Sequence, residues 1–282
     1  MALIRCKFKS QALQTTTDVR VFLPTDLAIR AGMPVEGVIT LLHGITNDGD
    51  DWINNSCVLR YAAVNGLALV IPDADNSFYN DMVYGSRYFT WLTEELPALL
   101  AQTFRLPQDR EKNAVCGLSM GGYGAMLLAL THPERYAYCG SFSGGVDLAS
   151  AMQGAKDSNP LARQLFAPIF GDQFELPENR DLFRLAEKVS KLPAEQRPQL
   201  LCTVGKQDHE PYYIYEQNQN LRALMKTLPL DYTYMEWQGG HEWEFWDRSI
   251  AAAIDRFFHS GFLKKRTEDW TTPITMEENH HA

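Results

Sequence analysis

The sequence predicts an α/β fold with a mostly parallel central sheet that is flanked by helices. Short apolar, β-branched segments alternate with helix-like segments along most of the 282 residues, as is typical of a parallel sheet with helices on both faces. Several of these segments are apolar throughout, which is expected of strands that are buried on both faces. A chain of this length can bury such a sheet in one domain, which we place at residues 1–262.

Seven segments have the composition of strands, and turn residues or prolines bound several of them. One of these strands ends at Pro24 and another just before Pro72, because proline cannot donate to a ladder of backbone hydrogen bonds. The predicted strands cover residues 18–24, 38–42, 67–71, 113–116, 138–143, 200–204 and 231–237. The predicted helices cover residues 58–65, 89–104, 121–130 and 243–258.

One long segment interrupts the alternation. Residues 144–198 contain no clear buried strand, and we predict a helical insertion that folds over the edge of the sheet as a cap. A helical decoration without a role at the site is the alternative. The insertion carries several large apolar side chains: Phe166, Ile169, Phe170, Phe174, Leu182 and Phe183. A charged and polar tail, residues 263–282, follows the domain.

Composition narrows the class of partner. The 35 acidic residues outnumber the 26 basic residues, and the net charge of −9 argues against nucleic acid or an anionic membrane as a partner. The five cysteines form no C-x-x-C pair, which favours buried thiols over a zinc or redox site. The first residues lack the apolar stretch of a signal peptide, and no run approaches the roughly 20 apolar residues of a spanning helix. We therefore expect a cytoplasmic protein.

The strongest chemical signal is the sequence GLSMG at residues 117–121, which matches the pattern G-x-S-x-G. A predicted strand precedes it and a predicted helix follows it. A serine on such a sharp turn projects above the sheet, near the positive end of the following helix, while the flanking glycines let the backbone approach itself. The context therefore predicts that Ser119 is a nucleophile.

A serine nucleophile needs a base, and the base needs an acid that orients it. In this pattern the order along the chain is serine, acid, histidine. His241 follows the last predicted strand and is the candidate base. Asp208 lies in the loop after the preceding strand and is the preferred acid, with Glu210 as the nearby alternative.

The developing oxyanion needs two backbone donors. One is the N–H group of Met120, which directly follows the serine. The other is expected in the loop after the strand at residues 38–42, where Ile45 is the preferred donor and Gly44 the alternative. His43, at the start of that loop, is then expected to shape the loop and not to act in the reaction.

Four short motifs carry a resemblance to a known family. They are LLHG at 41–44, DW at 51–52, GLSMGGYGA at 117–125 and GGHEW at 239–243. Together they resemble the tributyrin esterase group of the esterase D-like α/β-hydrolases, over roughly residues 1–260. Feruloyl (cinnamoyl) esterases, S-formylglutathione hydrolases and mycolyltransferases are similar to that group.

The resemblance implies a carboxylesterase with an α/β-hydrolase fold. It also implies a triad of Ser119, Asp208 and His241, oxyanion donors at Ile45 and Met120, no cofactor and frequent homo-oligomers. The chain departs from the glutathione-thioester enzymes, which tend to carry histidines where this sequence has Leu118 and Tyr123. Their proline after the Ser-Phe-Ser segment is also missing, because two glycines follow residue 143. These departures disfavour a thioesterase.

We therefore predict a serine carboxylesterase that hydrolyses small-molecule esters of short-chain or small aromatic, feruloyl-type acids through an acyl-enzyme. The alternatives are a thioesterase such as S-formylglutathione hydrolase, or an acyltransferase with the same triad. No metal is expected, because the acidic segment 47–51 does not have the spacing of a calcium loop and is predicted to be a polar turn. The aromatic residues between positions 52 and 91 are equally consistent with a core and with a ring-lined pocket.

Overall fold

A computed structural model describes residues 1–26, 34–158, 160–258 and 275–279. Within these described residues, nine strands form one sheet in the order β1-β2-β4-β3-β5-β6-β7-β8-β9. The strands are β1 (Ala2–Ser10), β2 (Thr15–Leu23), β3 (Gly37–Leu42), β4 (Leu67–Pro72), β5 (Asn113–Leu118), β6 (Tyr138–Phe142), β7 (Gln199–Gly205), β8 (Tyr232–Trp237) and β9 (Thr275–Asn279). Strands β3 to β8 are mutually parallel, whereas β1, β2 and β9 pair antiparallel with their neighbours. The predicted mostly parallel sheet is confirmed.

Helices cover both faces of this sheet. They are α1 (Gly49–Asn55), α2 (Val58–Val64), α3 (Tyr88–Thr90), α4 (Leu96–Thr103), α5 (Met120–Thr131), α6 (Leu148–Ser158), α7 (Pro160–Phe170), α8 (Leu182–Val189), α9 (Ile214–Met225) and α10 (Trp243–Phe258). Within β3, Val38 and Leu42 join one hydrophobic core, and Ile39 and Leu41 join the other. The strands are therefore apolar throughout because each face packs against a layer of helices.

The helix predicted at residues 89–104 is not uniform. A π-helical turn, Trp91–Glu95, lies between α3 and α4. Pro97 lies at the start of α4 and has no N–H group for the carbonyl of Thr93. Arg135 donates a hydrogen bond to that carbonyl instead. The missing N–H group at Pro97, four residues after Thr93, thus accounts for the departure from α geometry.

Two edge strands were not predicted from the sequence. Most side chains of β1 alternate between exposed and half-buried, and the strand therefore lacks the continuous apolar sequence that marks a buried strand. Strand β9 lies in the predicted polar tail, where Arg222 and Lys226 form ion pairs with Glu277. Between β6 and β7, the described residues form helices α6 to α8 and short 3₁₀ turns, and no strand. Among all described residues, no helix is both long and apolar enough to cross a membrane.

Candidate active site

Ser119 occupies a strained position between β5 and α5. Its backbone has φ 54° and ψ −118°, a region that residues other than glycine rarely adopt. A Cβ atom at Gly117 would lie 2.3 Å from the carbonyl oxygen of Gly121, and one at Gly121 would lie 2.4 Å from the carbonyl oxygen of Leu42. Both glycines are therefore required by the close approach of the turn to itself and to β3.

The structure brings together the three predicted side chains. The Nε2 atom of His241 lies 2.9 Å from the Oγ atom of Ser119, and its Nδ1 atom lies 2.9 Å from the Oδ2 atom of Asp208. Asp208 is almost fully buried. Because the carboxylate accepts the Nδ1–H group, the neutral imidazole has its free lone pair on Nε2, where it accepts the serine proton.

Backbone contacts join the loops that carry the acid and the histidine. The N–H groups of Lys206 and Gln207 donate to the carbonyls of Trp237 and Gly239, at 2.9 and 3.1 Å. A Cβ atom at Gly205 would lie 2.1 Å from the carbonyl oxygen of Gly239, which itself has φ +151°. The separation of Asp208 from His241 is thus set mainly by the backbone of two adjacent strands, β7 and β8.

Glu210, the alternative acid, lies elsewhere. Its Oε1 atom accepts a hydrogen bond from the Tyr213 hydroxyl at 3.4 Å, and its side chain faces solvent. The neighbouring His209 pairs with Glu216 through Nδ1, at 2.7 Å, and the hydrogen bond to this carboxylate raises the pKa of His209. In the structure, the carboxylate that contacts His241 is that of Asp208.

His43 fixes the peptide group that carries the Ile45 N–H. Its Nδ1 atom lies 2.8 Å from the Gly44 carbonyl oxygen, and its Nε2 atom accepts the Ala74 N–H at 3.0 Å. Burial lowers the pKa of His43, so the imidazole is neutral and Nδ1 is the donor. In a trans peptide the C=O and N–H groups point in opposite directions, so a fixed Gly44 carbonyl also fixes the direction of the Ile45 N–H.

Ile45, Met120 and Ser119 line one cavity of about 620 Å³. Its apolar wall includes Phe78 together with side chains of α6 and α7: Leu148, Ala151, Leu165 and Phe166. The segment before α9 adds Pro211, Tyr212 and Tyr213, and α9 adds the polar side chains Glu216, Gln217 and Asn220. Among the described lining residues there is no lysine or arginine. The cavity is mainly apolar, and its polar groups include Ser119, Ser150 on α6 and the three side chains on α9.

The aromatic rings that were open to two interpretations belong mostly to the core. Trp52, Tyr79, Tyr88 and Trp91 are buried in the two hydrophobic cores, and none of them lines this cavity. The rings that do line it are Phe78, Phe166, Tyr212 and Tyr213. The tyrosine pair was missed because it lies outside any periodic segment; its position directly after the acid-bearing loop was the available signal.

The acidic segment 47–51 caps a helix. Asp48 accepts the N–H of Asp50 at the start of α1, and Arg20 donates to Asp50 at 2.9 Å and also to Asp73. The hydrogen bond from Arg20 lowers the pKa of Asp50 to about 2. Among the residues that the structure describes, no group of three or more histidine, cysteine, aspartate or glutamate side chains is placed to hold a metal ion.

Comparisons with known proteins place the chain in a family. A family model described as "Putative esterase" matches residues 10–257. An acetyl esterase of Caldicellulosiruptor saccharolyticus is 29% identical over 266 residues, which is 90% of this chain and 97% of that protein. Two solved structures from Staphylococcus aureus are each 27% identical and cover 91% of this chain and 98% of theirs. They are the substrate-bound fluorophosphonate-binding serine hydrolase F, with a TM-score of 0.78, and an S-formylglutathione hydrolase, with a TM-score of 0.75.

Proposed function

This chain belongs to that esterase family and is a serine carboxylic ester hydrolase of the α/β-hydrolase fold, and we propose that Ser119, His241 and Asp208 are its catalytic triad. The observation that carries the proposal is the chain of two 2.9 Å contacts from the Ser119 hydroxyl through His241 to a buried carboxylate. Such a chain activates a serine at neutral pH, because the imidazole takes the proton as the Oγ–C bond forms.

The reaction proceeds through an acyl-enzyme. Ser119 attacks the ester carbonyl, His241 accepts the serine proton, and Asp208 stabilises the resulting imidazolium. The N–H groups of Ile45 and Met120 donate to the oxyanion of the tetrahedral intermediate. His241 then protonates the leaving alcohol, and in the second half it removes a proton from the water that hydrolyses the acyl-enzyme.

The substrates that suit the cavity are small esters with a short acyl chain or a compact aromatic acid. Side chains from α6 and α7 line the same cavity as Ser119, which supports the interpretation of residues 144–198 as a cap. Phe166 packs on Phe78 with ring centroids 5.5 Å apart, and these buried rings limit the length of an acyl chain. A neutral, mainly apolar acyl group matches this wall.

An S-formylglutathione hydrolase is the second candidate, because a structure of that class is 27% identical over nearly the whole chain. Glutathione is anionic, whereas the described cavity wall offers Glu216 and no cationic side chain. Tyr123, where the glutathione enzymes tend to have a histidine, is fully buried and donates to the Arg180 carbonyl at 2.7 Å. The geometry therefore favours the oxygen esters.

Three measurements test the proposal together. A fluorophosphonate probe should label wild-type protein at Ser119, identified by peptide mass, and should not label the Ser119→Ala variant. A panel of p-nitrophenyl esters from acetate to octanoate, with methyl ferulate, should give the highest kcat/KM for short-chain or feruloyl esters. Faster hydrolysis of S-formylglutathione than of any ester in the panel would assign the second candidate.

Cytoplasmic location and a homo-oligomer remain predictions of the sequence, which cell fractionation and sedimentation velocity can test.

A further inference from the structure

The segment that follows Asp208 brings aromatic rings to the candidate base. Tyr212 is 50% exposed, lines the cavity, and has its ring centroid 5.7 Å from that of His241. Trp246, which is buried, also contacts the imidazole, edge-on, with centroids 5.0 Å apart. His241 therefore packs against one ring inside the protein and one ring at the open side of the site.

A buried amide holds the backbone of Tyr212. Gln217, 7% exposed, donates from Nε2 to the Tyr212 carbonyl at 2.8 Å. Its Oε1 atom accepts the N–H of Asp147 at 3.0 Å, at the start of the 144–198 insertion. The two ends of the amide thus join the segment before α9 to the loop after β6. Loss of the side chain would leave a buried backbone group without its partner.

We propose that Tyr212 is a positioning residue for His241 and that Gln217 acts through Tyr212. The inference rests on the proposed roles of Ser119 and His241. When His241 takes the serine proton it becomes a cation, which the electron-rich face of an aromatic ring within about 6 Å stabilises. The Tyr212 ring lies at this distance and is tilted by 50° to the imidazole. The same ring blocks rotation of the imidazole away from Ser119. A larger fraction of the molecules then has Nε2 within hydrogen-bonding distance of the serine Oγ.

The first test compares Tyr212→Ala with Tyr212→Phe. The readouts are kcat and KM for p-nitrophenyl acetate, and the rate of inactivation by diisopropyl fluorophosphate, a compact probe of the serine–histidine pair. We expect Tyr212→Ala to slow both kcat and inactivation about fivefold, the upper end of what one such contact contributes at a half-exposed site. Tyr212→Phe should keep both rates within about twofold of wild type, because the ring and not the hydroxyl contacts His241.

A residue that only lines the cavity would behave differently. Tyr212→Ala would then raise KM for the larger esters, while kcat and the rate of inactivation by the small probe would stay as in wild type. That result would overturn the role of Tyr212 at the base. It differs from failure of the proposed function, in which the probe would not label wild-type Ser119 at all.

The second test is a double-mutant cycle. Gln217→Ala should lower the inactivation rate about threefold when Tyr212 is present, and should have no further effect in the Tyr212→Ala background. Gln219→Ala is the matched control, because Gln219 lies on the same helix and donates to the Tyr234 hydroxyl at 2.7 Å, away from the site. Additive losses in the cycle, with thermal melting of the variants close to that of wild type, would show that Gln217 does not act through Tyr212.

Discussion

The loops that carry Ser119, Asp208 and His241 differ from the wall of the cavity in what holds them in place. The three loops follow β5, β7 and β8 of one parallel sheet, and they are held by backbone hydrogen bonds and close glycine contacts. The wall is built from side chains of separate helices, joined by ring packing and by single amides such as Gln217. The residues of the proposed triad are therefore fixed by the sheet, whereas the shape of the cavity depends on individual side chains.

The largest effect is expected from changes to the three reacting groups. Ser119→Ala and His241→Ala should each lower kcat by at least about 10⁴-fold with the fold intact, and Asp208→Asn by about 10³ to 10⁴-fold because it favours the wrong imidazole tautomer. Glu210→Gln is the control for the acid and should keep near-normal turnover. Steady-state kinetics on p-nitrophenyl acetate would reject our assignment if Glu210→Gln were inactive while Asp208→Asn kept wild-type rates.

A smaller loss is expected when the loop at residues 43–46, which carries the proposed Ile45 donor, loses its hydrogen bond to His43. His43→Ala frees the Gly44 carbonyl and so the direction of the Ile45 N–H, and we expect kcat to fall about 100-fold with little change in KM. His43→Asn keeps a donor close to the position of Nδ1 and should recover part of the loss. The affinity of a trifluoromethyl ketone, which forms the tetrahedral adduct, should fall in parallel with kcat.

An unchanged kcat in His43→Ala, with near-ultraviolet circular dichroism like that of wild type, would mean that the loop holds its conformation without the imidazole. The backbone alone would then hold this loop, and even a buried histidine with two hydrogen bonds would be dispensable.

The same difference explains how much the sequence predicts. Ser119, Asp208 and His241 could be predicted to lie together because each follows the end of a predicted strand, and parallel strands deliver such ends to one edge of the sheet. Tyr212 and Gln217 were not identified, because their roles depend on contacts between segments that are distant in the chain. Nothing local distinguishes a glutamine that bridges two loops from one that faces water.

The edges of the fold were missed for a related reason. Strand β9 has neither an alternating nor a continuous apolar pattern, and its ion pairs with α9 come from residues some 50 positions earlier. The π turn at Trp91–Glu95 follows from Pro97, but its stabilisation by Arg135 is a tertiary contact. Periodicity reports burial along one element, and it does not report partners supplied by another.

A moderate effect on specificity is expected from the wall. Phe166→Ala opens the cavity where α7 meets Phe78, and we expect kcat/KM for octanoate relative to butyrate to rise about tenfold. Each methylene that gains a buried position contributes about 0.8 kcal/mol, so about two account for such a change. Phe170→Ala is the control, since Phe170 is buried on the same helix and does not line the cavity. An unchanged chain-length profile in Phe166→Ala would argue against the cap.

The smallest effect is expected on stability, from the ion pair between Arg20 and Asp50 at the start of α1. Arg20 lowers the folded-state pKa of Asp50 to about 2, below the ordinary value of 3.8, so ionised Asp50 stabilises the fold. A depressed pKa contributes stability that is fully present above about pH 4 and is lost as the pH falls towards 2. Because Asp50 is partly exposed, solvent screening reduces this contribution to about 1 kcal/mol.

In urea unfolding, Asp50→Asn should therefore be less stable than wild type by about that amount at pH 7, and the difference should shrink between pH 4 and pH 2. Glu187→Gln, which removes the exposed pair with Arg184, is the control and should change stability little at either pH. A difference for Asp50→Asn that persisted unchanged at pH 2 would show that its charge does not hold this region.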